Sequence, residues 1–318
     1  MRKNSYVVGI DGGGTKTAAM LADPNGTILA EDTGGPSNFQ LIGVDQAAQV
    51  LFSVIQGCCG KAGCALSDVK SVVAGLTGAG RESDRERMQQ AFHNHTRGFG
   101  TDFDLVTVES DARIALEGAF KGGSGIILIA GTGSIAFGKA PGGAILRVGG
   151  WGRLVGDEGS GYSIGKDGLN IVSKELDGRG GKTLLTKLVA EKFGLSNQEQ
   201  IITAVYRNNF DIASLAPLVI EAAAKQDKEC ERILNRAAFE LSEHVRSLTF
   251  KIEEAARGTR KKIPLAFIGS ILTSENIFSR VVKHKIEYSL PQVSVIKPQS
   301  APAHGAVLMA LEQMKQKA

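Results

Sequence analysis

A short apolar run near the start of the chain leads into the stretch Ile10-Asp11-Gly12-Gly13-Gly14-Thr15-Lys16-Thr17. A second apolar run, in the middle of the chain, leads into a related stretch, Ile129-Ala130-Gly131-Thr132-Gly133-Ser134. Each leads into a second run and a tight turn, Pro24-Asn25-Gly26 or Pro141-Gly142-Gly143, before a third run. Glycines in such turns let backbone N–H groups approach a phosphate, and hydroxyls add donors. The repeat predicts a nucleotide-using enzyme of two similar halves, with one polyphosphate held from two sides.

The composition argues against nucleic acid and membrane as partners and indicates the state of the cysteines. The 318 residues carry a net charge of only +4 and no long basic run, which argues against nucleic acid as a partner. No apolar run approaches the roughly 20 residues that span a bilayer, so we expect no membrane partner. The cysteines lack zinc-site spacing, which predicts reduced thiols in a cytoplasmic protein: Cys58, Cys59, Cys64 and Cys230.

Periodicity places strands and helices along the chain. Strands are predicted at Tyr6–Ile10, Thr17–Ala22, Thr27–Asp32, Val69–Ala74, Leu105–Val108, Leu265–Ile268 and Val293–Ile296, with the repeated meander at Ile126–Val148. Helices are predicted at Val44–Gly57, Asp84–His93, Ala112–Phe120 and after Pro302. A long helical stretch runs from Gly161 to about Ala256, with breaks near Gly178–Gly181, Gly194–Ser196 and Asn208–Asp211.

Some shorter motifs do not support a function. Gly181-Lys182-Thr183 resembles the end of a P-loop, but Leu176 stands where the first glycine is needed. We therefore predict a loop between helices there. The histidines have no partners in sequence and are predicted to lie on the surface: His93, His95, His244, His284 and His304.

Two aspartates suggest phosphoryl transfer. Asp11 follows a buried strand, where a carboxylate would hold Mg²⁺ beside nucleotide phosphates, while Thr15 and Lys16 would donate to phosphate oxygens. Asp111 follows the strand Leu105–Glu109 and has two interpretations. It is either the N-cap of the next helix or a general base that accepts a hydroxyl proton.

An ordered set of motifs then resembles a known family. The set is Asp11–Thr17, Ser37-Asn38, Ser110-Asp111-Ala112, Gly131–Ser134, Gly149-Gly150-Trp151-Gly152, Gly156-Asp157-Glu158-Gly159-Ser160, Gly269-Ser270 and His304-Gly305-Ala306. It resembles the N-acetylglucosamine kinase group of the BadF/BadG/BcrA/BcrD ATPase family, within the sugar kinase, heat-shock chaperone and actin superfamily. The resemblance covers nearly the whole chain.

The resemblance implies an α/β fold of two ribonuclease-H-like, actin-like ATPase domains, each a mixed five-stranded sheet flanked by helices. The N-terminal domain would span 1–119 and be completed by the C-terminal helix at 300–318, with the second domain at 120–299. The implied activity is ATP-dependent phosphorylation of the 6-hydroxyl of an amino sugar, with ATP and Mg²⁺ in use. We also expect a homodimer.

Site residues follow from the same resemblance. Asp111 would be the catalytic base and Asp11 the metal ligand. Sugar-binding positions would be Asn38, Thr77, Gly150, Trp151 and Asp157, where Thr77 stands for a serine that the family often has. ATP-binding positions would be Gly12, Gly13, Gly14, Thr15, Lys16, Thr17, Gly131, Thr132, Gly133, Ser134, Gly269 and Ser270.

Alternatives remain open at this stage. The sugar is N-acetylglucosamine, glucosamine or N-acetylmuramic acid. A second function in the same family is an ATPase activator of 2-hydroxyacyl-CoA dehydratases, whose iron–sulfur cluster needs well-placed cysteines. A third is a non-catalytic sugar or nucleotide sensor, against which Asp111 argues.

Overall fold

The computed structural model describes residues 5–256 and 262–317, which form two compact units. The first unit comprises Met1–Gly123 with Pro298–Ala318, and the second comprises Ser124–Lys297. Among the helices in the described ranges, none combines the length and apolar character that crossing a membrane would require.

Each unit is built on one sheet of five strands. The strands of the first are β1 (Tyr6–Gly12), β2 (Thr17–Ala22), β3 (Ile28–Gly34), β4 (Val69–Leu76) and β5 (Leu105–Ser110). Those of the second are β6 (Gly125–Ala130), β7 (Ser134–Lys139), β8 (Ile145–Gly149), β9 (Ile263–Ile268) and β10 (Val293–Ile296).

Helices flank both sheets. In chain order they are α1 (Phe39–Ile42), α2 (Val44–Ala62), α3 (Glu82–Gly98), α4 (Asp111–Ala119), α5 (Gly161–Leu176), α6 (Leu184–Phe193), α7 (Gln198–Arg207), α8 (Ala216–Ala224), α9 (Lys228–Ala255), α10 (Ser270–Thr273), α11 (Ile277–Ser289) and α12 (Pro302–Lys317). Short 3-10 turns lie at Leu66–Asp68 and Ile212–Leu215.

The two sheets share one topology. Their strand orders are β3-β2-β1-β4-β5 and β8-β7-β6-β9-β10. In each, the first three strands form an antiparallel meander, and the last two add in parallel to the first. Two mixed five-stranded sheets flanked by helices confirm the predicted fold class.

Alternation along β1 explains how its sheet is covered on both faces. Val8 and Ile10 face a core with α2 and α3, while Val7 faces a smaller core with α4 and α12. Successive strand residues point to opposite faces, so both faces are apolar. At Gly9 a Cβ atom would lie 2.3 Å from the Val307 nitrogen, so only glycine lets α12 lie this close to the strand.

The helical stretch after Gly161 contains one break more than the sequence predicted. Helix α8 ends before Lys225, and α9 begins after Asp227, whose side chain accepts from Cys230 N at 3.0 Å. Gln226 between them has a left-handed φ of 66°. No glycine or proline marks this break, so the aspartate cap was its only sequence signal.

Candidate active site

Backbone hydrogen bonds of Gly13 hold the first glycine turn, and the residues at the tip of this turn are exposed. Gly13 N donates to Lys16 O at 3.0 Å, and Gly13 O accepts from Ser37 N at 3.0 Å. Gly14, Thr15 and Lys16 are exposed. The groups of this turn that can reach a phosphate are therefore concentrated in these three residues.

Two other residues of this turn that were predicted to bind ATP, Gly12 and Thr17, make structural contacts. A Cβ at Gly12 would lie 2.2 Å from Ser37 Oγ, so glycine is required for close packing. The buried Thr17 hydroxyl lies 2.7 Å from Gly35 O and 2.8 Å from Ser37 Oγ. It donates to Gly35 and accepts from Ser37, so its single proton is not free for a phosphate.

Asp11 lies at the end of β1, directly before this turn. Burial raises the pKa of Asp11 above its ordinary value of 3.8, the Asp111 carboxylate raises it further, and the Lys16 ammonium lowers it. A cation would offset the negative charge of the two carboxylates. Mg²⁺ suits this setting, because it is usually bound through one or two carboxylates with water and substrate phosphates. Within 5–256 and 262–317, no three His, Cys, Asp or Glu side chains cluster as a metal cage.

Asp111 is the first residue of α4, and the preceding Ser110 is the N-cap. Ser110 Oγ accepts from Arg113 N at 3.2 Å, so the capping interpretation of Asp111 is wrong by one residue. Asp111 Oδ1 accepts from Ala112 N at 2.8 Å, and Oδ2 accepts from the Thr77 hydroxyl at 2.7 Å. Both carboxylate oxygens are thus oriented by donors, and each keeps a lone pair for a further partner.

Thr77 and Asn38 lie in loops near the first turn. Thr77 follows β4, and its N–H donates to Gly12 O at 2.9 Å. Asn38 is the N-cap of α1, and its Oδ1 accepts from Gln40 N at 3.1 Å. Because the carbonyl oxygen of the Asn38 amide serves as the cap, its NH₂ group is the end suited to a ligand.

The second glycine turn is held by the start of α5. Gly131 O accepts from Gly161 N at 2.8 Å, and Thr132 O accepts from Tyr162 N at 3.1 Å. Thr132 is exposed and Gly133 is half-buried. The Thr132 side chain is therefore exposed, while the carbonyl groups of Gly131 and Thr132 accept from the start of α5.

Ser134, which was predicted to bind ATP, has partners within the protein for both of its donors. Its side chain is buried, its N–H donates to Asp157 Oδ1 at 3.2 Å, and its hydroxyl donates to Glu158 O at 2.7 Å. Both donors are occupied within the second unit. Ser134 therefore joins the turn to the loop that contains Asp157.

That loop carries the predicted sugar residues of the second unit. Gly150 N donates to Ser134 O at 3.1 Å, and Gly150 has a left-handed φ of 70°. Trp151 is 69% exposed, which excludes a role in the core. The Arg147 guanidinium lies 5.7 Å from the centroid of the Trp151 ring.

The turn after β9 contains the remaining predicted ATP residues. Gly269 has a φ of 91°, and a Cβ there would lie 2.3 Å from Ala130 O, so no other residue fits. Ser270 is exposed and begins α10. Gly269 thus allows the chain to turn sharply beside the end of β6.

Two residues beside the loop were not identified from the sequence. His244 on α9 is only 9% exposed, so its predicted surface position is wrong. Its Nε2 lies 3.5 Å from Glu158 Oε2, and its ring lies under Gly149. Glu158 belongs to the motif Gly156–Ser160, so its position could have been noted. His244 lies far from this motif in the sequence, and no pattern around it indicates a contact with the loop.

Comparisons with known proteins identify the family of this chain. The model of the BadF/BadG/BcrA/BcrD ATPase family matches residues 8–310. An N-acetylmuramic acid/N-acetylglucosamine kinase from Clostridium acetobutylicum is 34% identical over 96% of this chain and 98% of the relative. An N-acetyl-D-glucosamine kinase from Dictyostelium discoideum is 32% identical over 97% of this chain and 98% of the relative. A solved structure of a candidate N-acetylglucosamine kinase from Chromobacterium violaceum is 27% identical, with a TM-score of 0.69, over 97% of this chain and 99% of that one.

Proposed function

Because the chain belongs to the BadF/BadG/BcrA/BcrD ATPase family, we propose that it is an ATP-dependent kinase that phosphorylates the 6-hydroxyl of an amino sugar. The observation that carries this proposal is the Asp111 carboxylate, oriented at the start of α4 by Ala112 and Thr77. The kinase relatives support the substrate class, because they match nearly the full length of the chain.

Asp111 is the general base of the proposed reaction. It accepts the proton of the sugar 6-hydroxyl as that oxygen attacks the γ-phosphorus of ATP. The bond from the γ-phosphorus to the bridging oxygen breaks, so the products are the sugar 6-phosphate and ADP. Asp111 needs its carboxylate in one orientation for this step, and its two donors supply that orientation.

The exposed groups of the glycine turns are the proposed phosphate donors. In the first unit these are the Gly14 backbone, the Thr15 hydroxyl and the Lys16 ammonium. In the second unit Thr132 is the exposed donor, and the Gly269-Ser270 turn is proposed to lie beside adenosine. Asp11 would hold Mg²⁺, which when bound neutralises charge on the transferring phosphoryl group.

The proposed sugar contacts combine hydrogen bonds with one apolar surface. Asn38 offers an amide NH₂ group, Asp157 a carboxylate, and Trp151 an exposed ring that suits the apolar face of a sugar. Gly150 has a left-handed φ, and a Cβ there would lie 2.3 Å from Ile135 Cδ1, so its proposed contribution to the sugar site is its backbone. N-acetylglucosamine, glucosamine and N-acetylmuramic acid are the three substrates to compare.

The cysteines do not suit the alternative function of an iron–sulfur activator. Burial raises the pKa of Cys58 to about 11 and that of Cys59 to about 12. Burial also raises the pKa of Cys230 to about 12. The activator's cluster lies at a dimer interface and needs thiolates at the protein surface, whereas these three thiols are buried.

A cytoplasmic homodimer is the proposed assembly and location. The free state of all four cysteines agrees with a reducing compartment. Analytical ultracentrifugation would test the dimer. A sedimentation coefficient typical of a 33.5 kDa monomer at all concentrations would contradict it.

The substitution Asp111→Asn tests the assignment of the base. Asparagine keeps the side-chain shape and the oxygen that accepts from Ala112, but it does not accept the hydroxyl proton. We expect kcat to fall about 10²- to 10⁴-fold, with the affinity for ATP unchanged. A variant that retains more than a tenth of wild-type kcat would contradict the assignment.

A further inference from the structure

Asp157 has a backbone conformation that turns its carboxylate towards the second glycine turn. Its φ of 59° lies in the left-handed region, which non-glycine residues rarely adopt. Its Oδ1 accepts from Ser134 N at 3.2 Å. Its Oδ2 lies 2.9 Å from the position that a Cβ on Gly133 would occupy. The carboxylate therefore lies directly on the turn, and the lack of a side chain at Gly133 makes room for it.

Ser134 is bound to this loop through all of its polar groups. Its N–H donates to Asp157 and its hydroxyl donates to Glu158 O at 2.7 Å. Its carbonyl accepts from Gly150 N at 3.1 Å. Since Ser134 is 2% exposed, water does not replace these partners. A shift of the loop would therefore displace the last residue of the turn.

The loop itself is anchored on the helical side of the unit. His244 Nε2 lies 3.5 Å from Glu158 Oε2, and a Cβ on Gly159 would lie 2.6 Å from Ala237 O. The two residues that follow Asp157 are therefore held against α9. A ligand that fixes this side chain also fixes the N–H of Ser134.

We propose that Asp157 couples sugar binding to nucleotide binding, with Oδ1 positioning the phosphate turn through Ser134 N–H and Oδ2 accepting a sugar hydroxyl. This inference rests on the proposed function, which assigns the turn to ATP and Asp157 to the sugar. Asp157 is then a positioning residue for the nucleotide as well as a sugar ligand. Coupling between two ligands is reciprocal, so each raises the affinity for the other by the same factor.

Two substitutions separate the charge of Asp157 from its hydrogen bond to Ser134. Asp157→Asn tolerates a left-handed φ and keeps an oxygen for Ser134 N–H, but it removes the negative charge that the sugar would meet. Asp157→Gly also tolerates the φ, but it removes the acceptor. Val155→Gly is the matched control, because Val155 is an exposed residue of the same loop. It adds the same backbone freedom without touching Ser134.

The experiment is calorimetric titration of the Mg²⁺ complex of β,γ-imido-ATP, with and without N-acetylglucosamine. Without sugar, we expect about fivefold weaker nucleotide binding for Asp157→Gly, since a hydrogen bond to a carboxylate is lost. Asp157→Asn and Val155→Gly should bind nucleotide as the wild type does. With sugar, the wild type should bind nucleotide about fivefold more tightly, and both Asp157 variants should lose most of this gain.

Hydrogen exchange gives a local readout. The amide of Ser134 should exchange faster in Asp157→Gly than in Val155→Gly, and a residue that served only as a sugar ligand would not change it. Wild-type nucleotide affinity in Asp157→Gly, with unchanged exchange at Ser134, would overturn the coupling and leave the kinase proposal intact. A wild-type protein that binds no nucleotide would overturn both. If Asp157→Gly does not fold, undiminished coupling in Asp157→Asn would overturn the inference.

Discussion

The contact between Thr77 and Asp111 assigns Thr77 a second role. The sequence predicted that Thr77 binds the sugar, and the structure places its hydroxyl 2.7 Å from Asp111 Oδ2. Its backbone N–H donates to Gly12 O, which joins β4 to the strand that carries the first turn. Thr77 therefore orients the proposed base from a fixed position.

The substitution Thr77→Val should lower kcat about tenfold, because it removes a hydrogen bond to a charged group. The KM for ATP should change little. Thr77→Ser keeps the hydroxyl and serves as the control, with kcat within about twofold of wild type. Steady-state kinetics with saturating ATP measures both values, and equal kcat in Val and Ser variants would contradict the positioning role.

The raised pKa of Asp11 predicts that its carboxylate destabilises the metal-free protein at neutral pH. The folded pKa lies above the unfolded value of 3.8, so the ionised form is disfavoured in the fold. Asp11→Asn should therefore raise the free energy of unfolding above the folded pKa. This gain should fade as pH falls towards 3.8, where the aspartate is protonated in both states.

Asp23 offers a control of opposite sign. The Thr27 backbone N–H is the main cause that lowers the pKa of Asp23, with further hydrogen bonds from Asn25. Asp23→Asn should destabilise the protein at neutral pH, and this loss should disappear as pH falls through the lowered pKa. Urea unfolding of both variants without Mg²⁺ at several pH values measures these effects. Destabilisation by Asp11→Asn at pH 7 would contradict a raised pKa of Asp11 in the folded protein.

At the scale of elements, α4 and α12 approach so closely that only glycine fits between them. A Cβ on Gly305 would lie 2.0 Å from Ile114 O and 2.5 Å from Gly118 N. Ser300 on the segment before α12 also donates to Gly118 O at 2.8 Å. Because Asp111 is the first residue of α4, the packing of α12 on α4 helps to fix the position of the proposed base.

The substitution Gly305→Ala should lower the free energy of unfolding by about 1–3 kcal/mol or more, because the helices must separate. Gly60→Ala is the control. Gly60 lies within α2, and a Cβ there meets no atom within 4 Å, so alanine should stabilise by about 0.5–1 kcal/mol. Denaturant titration compares the two variants, and equal effects would refute the close crossing.

The loop with Trp151 offers a direct optical signal. Trp151 is the one tryptophan of the chain and is 69% exposed, so its emission should be typical of an indole in water. A sugar that packs on the ring should shift the emission to shorter wavelength. Titration with N-acetylglucosamine measures the shift, with a sugar alcohol as the control ligand. Unchanged emission at sugar concentrations that saturate turnover would exclude this position for the sugar.

Particular residues show how far the sequence could predict the site. Glycine runs and hydroxyls cluster locally, so both turns and the flanking strands were predictable. The hydroxyls of Thr17 and Ser134 are occupied by partners 18 to 24 residues away, and local pattern does not reveal such partners. Ser110 and Asp111 are adjacent and both are good caps, so their roles needed coordinates.

At the scale of the whole molecule, the repeat in the sequence corresponds to a repeat in topology. Each sheet begins with a meander whose first turn carries glycine and a hydroxyl, and each then adds two parallel strands. The family resemblance drawn from the ordered motifs is confirmed over residues 8–310. The helical stretch 161–255 lies wholly within the second unit, so the two units differ in their helices and share their sheets.

The proposed kinase consumes ATP only to phosphorylate an amino sugar. The most direct test is coupled ADP release with Mg²⁺-ATP and each of N-acetylglucosamine, glucosamine and N-acetylmuramic acid, with product analysis by ³¹P NMR. We predict that ADP forms only when one of these sugars is present, with one 6-phosphate ester formed for each ADP released. Sugar-independent ADP release, or ADP release without a phosphate ester at O6, would contradict the proposed kinase activity.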